Sequence, residues 1–289
     1  CAIITPMRTY YDCYPCILRQ SLEAARMAGA TGDQERFILH QTLSLLQETP
    51  EGATPPAIGA RVHQLVRQIT GVDDPYKEVK QAATESALAL LPELKALIED
   101  SDDPLDTALR LSIAGNIIDF GPNPDYDLWE VVGRLLREEL AIDDTESLKA
   151  HLLKAESVLF LADNAGETVF DRVLIEVIDK PVIYAVRGGP TLNDSTLEDA
   201  QHAGIDQIAK VIDNGARVPG TVLSECSEAF RQQFWEADLI LAKGMGNYET
   251  LSEVAAPIFF LLQVKCPVIG EDIGAPAGGA VVKLGSQAA

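Results

Sequence analysis

The sequence is poor in features that mark several classes of protein. It has five cysteines among 289 residues, and their scatter is unlike a disulfide framework, which predicts reduced thiols. No apolar run approaches the ~20 residues that a membrane span requires. No basic and apolar secretory signal is apparent near the start of the sequence either. We therefore expect a soluble, cytoplasmic protein with no membrane partner.

Basic residues are scarce as well. The chain has 23 lysine and arginine residues against 44 aspartate and glutamate residues, a net charge of −21. Such an excess repels polyanions unless a local basic patch overrides it, and the sequence shows no such patch. Nucleic acid is therefore not an expected partner. The acidity does not locate a site by itself, because most surface carboxylates are simply solvated.

The first half of the chain has a helical period. Apolar residues recur there at the three- and four-residue spacing of amphipathic helices, separated by short glycine, proline and aspartate clusters. We predict an all-helical cap domain over residues 1–153, with Asp33 and Thr145 as helix N-caps. After two helices that start near residues 16 and 33, further helices are predicted near 57–69, 77–98, 104–118, 127–139 and 146–154.

The second half has a different period. Short, nearly continuous apolar runs alternate with amphipathic stretches, which is typical of a mostly parallel sheet covered on both faces. We predict a three-layer α/β/α domain over residues 154–289, so the fold class is α/β. The predicted strands lie at 158–162, 182–186, 208–212, 239–242, 259–264 and 281–284.

Polar loops follow the first four predicted strands, at the edge where open parallel sheets bind ligands. One such loop alone is often no more than a helix cap, but four at one edge favour a functional site. The loops are DNAGE at 163–167, RGGPTLND at 187–194, DNGARVPGT at 213–221 and KGMGNYE at 243–249.

These loops contain the residues of a metal site and an anion site. Asp163, Asn164 and Asp194 offer the hard oxygen ligands that hold Mg²⁺ or Mn²⁺ while leaving positions for water and substrate. Lys243 and Arg187 supply positive charge for phosphate oxygens. Glycines let backbone amides approach an anion closely, and the candidates are Gly188, Gly189, Gly244 and Gly246. This combination indicates phosphoryl chemistry.

Two motifs lie outside these loops. Asn116 and Asp119 are three residues apart on one predicted helical face, where they either bridge helices structurally or face the site from the cap. Cys13 and Cys16 form a single CxxC, which we interpret as small buried residues, as a thiol contact near the site, or as a redox pair. The four histidines are isolated along the chain, and none is predicted to act as a catalytic base.

The motifs taken together resemble the damage-control phosphatase family, in particular its prokaryotic branch with an N-terminal CxxC. The resemblance spans almost the whole chain and implies a helical domain joined to a three-layer α/β/α domain. It also implies that Asp163, Asn164 and Asp194 are the metal ligands and that Lys243 binds phosphate. The segments that carry it are YDCYPCILRQSLEAAR at 11–26, AGNIIDFG at 114–121, PGT at 219–221 and the loops at 163–167, 188–194 and 243–249.

The resemblance places further residues beside the predicted metal. Asn116 and Asp119 become neighbours of the site, and we predict substrate contacts for Glu167, Arg187 and Asn247 and for Gly188, Gly189 and Gly244. The expected cofactor is a divalent metal, Mg²⁺, Mn²⁺, Co²⁺ or Ni²⁺.

The functional hypothesis is a metal-dependent phosphatase that hydrolyses small phosphorylated metabolites. Either a water molecule or the Asp163 carboxylate would attack the phosphorus atom. One alternative is a carboxyl methyltransferase that uses S-adenosylmethionine, although DNAGE replaces the GxGxG turn more usual at such a nucleoside site. The other alternative is a non-catalytic protein that binds metal or a phosphorylated metabolite.

Overall fold

The computed structural model describes residues 8–50, 52–115 and 128–286 of the chain. Within these residues, no helix combines the length and the apolar character needed to cross a membrane. The helices are α1 (Cys13–Met27), α2 (Gly32–Gln47), α3 (Pro55–Thr70), α4 (Lys77–Ala89), α5 (Leu91–Glu99), α6 (Pro104–Gly115), α7 (Leu128–Arg137), α8 (Thr145–Lys154), α9 (Thr168–Val177), α10 (Leu197–His202), α11 (Glu228–Trp235), α12 (Gly244–Leu251) and α13 (Pro267–Ile273).

The strands are β1 (Ile142–Asp143), β2 (Val158–Leu161), β3 (Val182–Val186), β4 (Lys210–Asp213), β5 (Ile240–Lys243), β6 (Ile258–Gln263) and β7 (Ala280–Leu284). They form a seven-stranded sheet with the order β1-β7-β6-β5-β2-β3-β4. The five strands from β2 to β6 are mutually parallel, whereas β7 runs antiparallel to β6 and pairs in parallel with the short β1.

Both faces of the central strands β2, β5 and β6 are buried, with alternate residues of each strand pointing to opposite sides. On β2, Val158 and Phe160 join a core shared with helices α4 to α9. Leu159 and Leu161, the intervening residues, join a second core with α11, α12 and α13. The predicted α/β class, with a mostly parallel sheet inside three layers, is therefore confirmed.

The N-terminal half divides its helices between two roles. Helices α1, α2 and α3 have small cores of their own, one built on Ala24, Ile38 and Val66 and the other on Ile17, Leu46 and related residues. Helices α5 to α8 instead contribute to the larger core beside the sheet, where α6 and α8 contact strands directly. The domain boundary near residue 153 stays a prediction, and the sheet takes β1 from the N-terminal side of it.

Three local predictions were wrong. The stretch 77–98, predicted as one helix, is two helices, since Pro92 near the start of α5 has no N–H to donate to the preceding turn. Thr31, not Asp33, caps α2, and its side chain accepts the Gln34 amide. Thr145 is the first residue of α8 and makes no capping bond, because Asp144 occupies the cap position.

The strand order determines where a ligand can bind. The chain runs from β2 outward to β3 and β4, and then crosses back to place β5 on the other side of β2. The connection from β2 to β3 and the connection from β5 to β6 therefore run in opposite directions along the sheet, which opens a crevice at the carboxyl ends of β2, β3 and β5. Asp163, Arg187 and Lys243 lie at these three strand ends.

Candidate active site

The three predicted metal ligands come together because the loops after β2 and β3 pair with each other. Asn164 and Asp194 form an isolated antiparallel bridge, and the Ser195 amide donates to the Asp163 carbonyl oxygen at 2.7 Å. All three side chains are buried, with 9%, 6% and 3% exposure for Asp163, Asn164 and Asp194. The structure thus gathers in one place the oxygen ligands that the sequence suggested, and their role as ligands stays a prediction.

Arg187 places a positive charge against the carboxylates of Asp163 and Asp194. Its Nε donates to Asp194 Oδ2 at 2.5 Å, and its Nη2 lies 3.7 Å from Asp163 Oδ1. Its Nη1 donates to the Thr221 hydroxyl at 3.5 Å. The guanidinium is 2% exposed, so it is held by packing and by the two acids.

The residues present fit a divalent cation. Four buried carboxylates of the described region, Asp163, Glu167, Asp171 and Asp194, face two buried cations, Lys243 and Arg187. Ionised, they leave an excess of two negative charges, which is costly in a buried site unless a cation neutralises it.

In the part of the chain that the structure describes, buried polar atoms without partners occur on Arg187 and on two residues that flank Asp194 in the chain. The Thr191 and Ser195 hydroxyls and Arg187 Nη2 are buried without a hydrogen-bond partner among the described residues. Among those residues, no group of three or more His, Cys, Asp and Glu side chains is arranged to hold a metal. The candidate site therefore depends on the Asn164 amide and on non-protein oxygens as well as on its two aspartates.

Lys243 is fully buried inside a second group of charges. Its Nζ donates to Glu167 Oε2 at 2.9 Å, to Asp171 Oδ1 at 2.7 Å and to the Ser112 carbonyl oxygen at 2.9 Å. Burial alone lowers the pKa of Lys243, but Asp171 and Glu167 outweigh it and raise the pKa above its ordinary value. The ammonium group therefore stays charged. Its predicted contact with phosphate stays a prediction.

Gly244, the first residue of α12, makes room for Asp163. Its backbone φ is +75°, and a Cβ atom at this position would overlap Asp163 Oδ2, far inside van der Waals contact. A side chain here would therefore strain the backbone and force Asp163 to move. The sequence had suggested an anion cradle here, and the structure adds close approach to a carboxylate as the reason for glycine.

Gly188 and Asn247, two further predicted substrate contacts, form hydrogen bonds within the protein. The Gly188 amide donates to Ala216 O at 2.8 Å and to Asn214 Oδ1 at 3.1 Å. The side-chain NH₂ group of Asn247 donates to Lys243 O at 2.7 Å and to Ala162 O at 3.1 Å, while its side-chain oxygen accepts from the Thr221 hydroxyl at 2.7 Å. A Cβ atom on Gly189 would lie 2.7 Å from the Arg217 side chain.

A cavity of about 450 Å³ lies beside Arg187, between the helical half and the ends of β3 and β4. Salt bridges tie its two sides together, from Arg217 to Asp73 at 2.8 Å and from Lys80 to Asp199 at 2.9 Å. The cavity is lined by Asp73, Asp74, Lys77, Arg187, Gly188, Gly189, Pro190, Thr196, Leu197, Glu198 and Asp213. It is large enough for a small metabolite.

Sequence reasoning missed Asp171, which the structure places at the centre of the Lys243 cluster. Asp171 accepts hydrogen bonds from the Tyr184 hydroxyl at 2.7 Å and from the Ser112 hydroxyl at 2.9 Å. Burial, and then the Asp171 charge, raise the pKa of Tyr184 well above its ordinary value. A signal was present, because Asp171 shares the apolar stripe of α9 with Leu174 and Ile175 at helical spacing.

Asn116 and Asp119, which were predicted to lie beside the site, are outside the described residues. Cys13 and Cys16 occupy the first turn of α1, and neither forms a disulfide. Burial raises the pKa of the Cys13 thiol above its ordinary value, which argues against an activated thiolate.

Comparison with known proteins identifies the family. The damage-control phosphatase ARMT1-like domain matches residues 9–281. A protein of Pyrococcus horikoshii named damage-control phosphatase is 36% identical, over 95% of this chain and 97% of its own length. An Archaeoglobus fulgidus protein of the same name is 37% identical, over 94% and 97% respectively.

A solved structure agrees with this result. The crystal structure of a DUF89 family protein from Pyrococcus horikoshii superposes with a TM-score of 0.89 at 34% sequence identity. The match covers 97% of this chain and 100% of that protein. Since the sequence matches span nearly the whole chain and the fold is shared along the same length, the protein belongs to the damage-control phosphatase family.

Proposed function

We propose that the protein is a metal-dependent phosphatase that hydrolyses small phosphomonoesters. Membership of a family whose relatives are named phosphatases supports the reaction class. The observation that carries the metal is the convergence of Asp163, Asn164 and Asp194 at the strand-order reversal, with Arg187 between this group and a cavity. A bound divalent metal would be held by these three side chains and would act as a Lewis acid toward a phosphoryl oxygen.

Arg187 has the role of binding the phosphoryl group. Arg187 lines the cavity, and one nitrogen atom of its guanidinium has no hydrogen-bond partner among the described residues. A planar guanidinium can donate two parallel hydrogen bonds to phosphate oxygens. Asp194 fixes its orientation through Nε, so little reorganisation is needed as negative charge develops on the phosphoryl oxygens.

Two attacking groups are consistent with this arrangement, a water molecule and the Asp163 carboxylate. In the second case Asp163 Oδ attacks phosphorus, the alcohol leaves, and water later hydrolyses the acyl phosphate. Acid quenching of a single turnover with a ³²P-labelled substrate distinguishes the two. Protein-bound label that is lost in Asp163→Asn supports the covalent route, and its absence at all times supports water.

The function is tested with Asp163→Asn and Arg187→Lys, each assayed on p-nitrophenyl phosphate and on a panel of phosphorylated metabolites with Mg²⁺, Mn²⁺, Co²⁺ and Ni²⁺. We expect Asp163→Asn to abolish metal-dependent turnover. Arg187→Lys should lower kcat/KM about 10²-fold, because it loses the paired hydrogen bonds.

Matched controls are Glu99→Gln and Lys154→Met, which change exposed side chains that do not line the cavity. Normal metal-dependent hydrolysis by Asp163→Asn would refute the proposed site. A metabolite that co-purifies and survives with Mg²⁺ unhydrolysed, together with no turnover on the panel, would indicate the non-catalytic alternative.

A further inference from the structure

The environment of Lys243 is that of a structural cation rather than a free ligand for substrate. An ammonium group has three hydrogens, and the three short contacts of Nζ go to Ser112 O, Glu167 and Asp171. The side chain is 0% exposed and does not line the cavity beside Arg187. A phosphate oxygen would have to replace one of these three acceptors.

The two carboxylate oxygens of Glu167 have different partners, Lys243 and a residue of the candidate metal site. One oxygen, Oε2, accepts from Lys243 at 2.9 Å. The other, Oε1, accepts from Asn164 Nδ2 at 2.6 Å. Glu167 is 1% exposed, so both contacts are shielded from water. The side chain thus connects the buried ammonium group to a predicted metal ligand.

This connection selects the orientation of the Asn164 amide. A carboxylate can only accept hydrogen bonds, so it favours the NH₂ end of the amide. Asn164 Nδ2 also approaches Asp163 Oδ2 at 3.2 Å, which favours the same orientation. The carbonyl oxygen, Oδ1, is then left for the opposite side, as a metal ligand requires.

We infer that Lys243 is a positioning residue of the candidate site. By holding Glu167, it fixes which end of the Asn164 amide is available to a divalent cation. The inference rests on the proposed function, since it assumes that a cation binds between Asp163 and Asp194. It differs from the prediction that Lys243 binds phosphate directly.

The first test compares two isosteric changes among the carboxylates that hold Lys243, Glu167→Gln and Asp171→Asn. Both remove one negative charge next to the same ammonium group, but Glu167 contacts Asn164, whereas the contacts of Asp171 are to Lys243, Tyr184 and Ser112. In Glu167→Gln, the side-chain oxygen of the new glutamine turns to Lys243, and its NH₂ group then faces Asn164. Two NH₂ groups cannot hydrogen-bond to each other, so the Asn164 amide reverses its orientation. Calorimetric titration of the metal-stripped protein with Mn²⁺ should show about 10–100-fold weaker binding in Glu167→Gln and little change in Asp171→Asn.

The second test is a reciprocal rescue. Asn164→Asp combined with Glu167→Gln exchanges the carboxylate and the amide at unchanged total charge. The amide introduced at position 167 can then donate to one oxygen of the carboxylate introduced at position 164, which leaves the other oxygen for the cation. Mn²⁺ affinity in the double variant should return to within a few-fold of wild type. Failure of the rescue, with folding confirmed by circular dichroism, would overturn the inference.

The third test separates positioning from phosphate binding in Lys243→Met. Positioning predicts about 10–100-fold weaker Mn²⁺ binding and an unchanged KM for p-nitrophenyl phosphate at saturating Mn²⁺. Unchanged Mn²⁺ affinity with a raised KM would overturn the inference in favour of a phosphate ligand. Should this variant fail to fold, the Glu167→Gln comparison and the rescue decide the question.

Asp163→Asn distinguishes failure of the inference from failure of the proposed function. Equal Mn²⁺ binding by wild type and Asp163→Asn would refute the metal site itself, and the inference with it. Loss of binding in Asp163→Asn with wild-type binding in Glu167→Gln would refute only the positioning role.

Discussion

At the scale of single residues, the geometry of the site depends on the space left by one glycine and on the pairing of buried charged side chains. Asp163 can occupy its position because Gly244 has no side chain. Asp163, Asn164 and Asp194 could be predicted from the sequence, since polar residues that follow adjacent parallel strands meet at one edge of the sheet. The contacts of Lys243 with Asp171 and Ser112 could not be predicted, because they depend on which helices cover the sheet.

Gly244→Ala is expected to inactivate the protein without unfolding it. The added methyl group must displace Asp163 Oδ2, and a displacement of ~1 Å at a reacting group can cost about 10²-fold in rate. Gly274→Ala is the matched control, since Gly274 also has a positive φ, +82°, but open space around it. Both variants should lose about 1–2 kcal/mol of stability from backbone strain. Equal activity in the two variants would contradict this explanation of Gly244.

His63 is expected to make the fold sensitive to acid. Burial, with a smaller effect from Arg67, lowers its pKa from 6.5 to about 4. The unfolded chain takes up the proton first, so the stability contributed by neutral His63 is complete above pH 6.5 and is lost as the pH falls toward 4.

Chemical denaturation across this pH range tests the effect of His63. Wild type should lose about 1.4 kcal/mol per pH unit more than His63→Leu. Gln41→Ala, which changes an exposed side chain that does not titrate, should leave the wild-type slope intact. Identical slopes in wild type and His63→Leu would contradict the assignment.

At the scale of helices and strands, the sequence patterns predicted the type and approximate position of most elements better than their first and last residues. Strand β3 begins and ends where its apolar run does, at Val182–Val186. Strand β1 was missed because two residues carry no periodic signal, and its partner β7 lies at the far end of the chain. The cap of α2 was misplaced by two residues, since Thr31 and Asp33 are both good capping types and only geometry chooses between them.

Thr31→Ala should therefore destabilise the protein more than Asp33→Ala. Thr31 accepts from the Gln34 amide, and its own amide donates to the Gln34 side chain at 2.9 Å. Loss of such a cap costs about 1 kcal/mol, whereas the exposed Asp33 should contribute less than about 0.5 kcal/mol. Urea denaturation of the two variants measures the difference. A larger loss of stability in Asp33→Ala would show that Asp33 is the cap, as predicted from the sequence.

At the scale of the whole molecule, the net charge of −21 should make stability depend on salt. Self-repulsion weakens the compact state, and ~0.1 M salt screens charges beyond about 10 Å. We expect Tm to rise by about 2–4 °C between 10 and 300 mM KCl, corresponding to roughly 1 kcal/mol. A fall in Tm with KCl would show that attractive surface ion pairs dominate instead.

Mg²⁺ at equal ionic strength separates screening from specific binding. Wild type should gain a further increase in Tm, because a ligand that binds the folded state stabilises it. Asp163→Asn should respond to Mg²⁺ only as it responds to KCl. An equal gain in both proteins would place the stabilising ions elsewhere.

The pairing of β1 with β7 has a consequence for the order in which the chain folds during synthesis. Ile142 finds its strand partner only at Val281, and helices α6 and α8 contact β7, which is made after them. Strand β1 and these two helices therefore cannot reach their final packing until Ala280–Leu284 has left the ribosome. Until then β6 is an exposed strand edge with Phe259 and Leu261 on it, so nascent chains of this protein should depend on chaperones late rather than early in their synthesis.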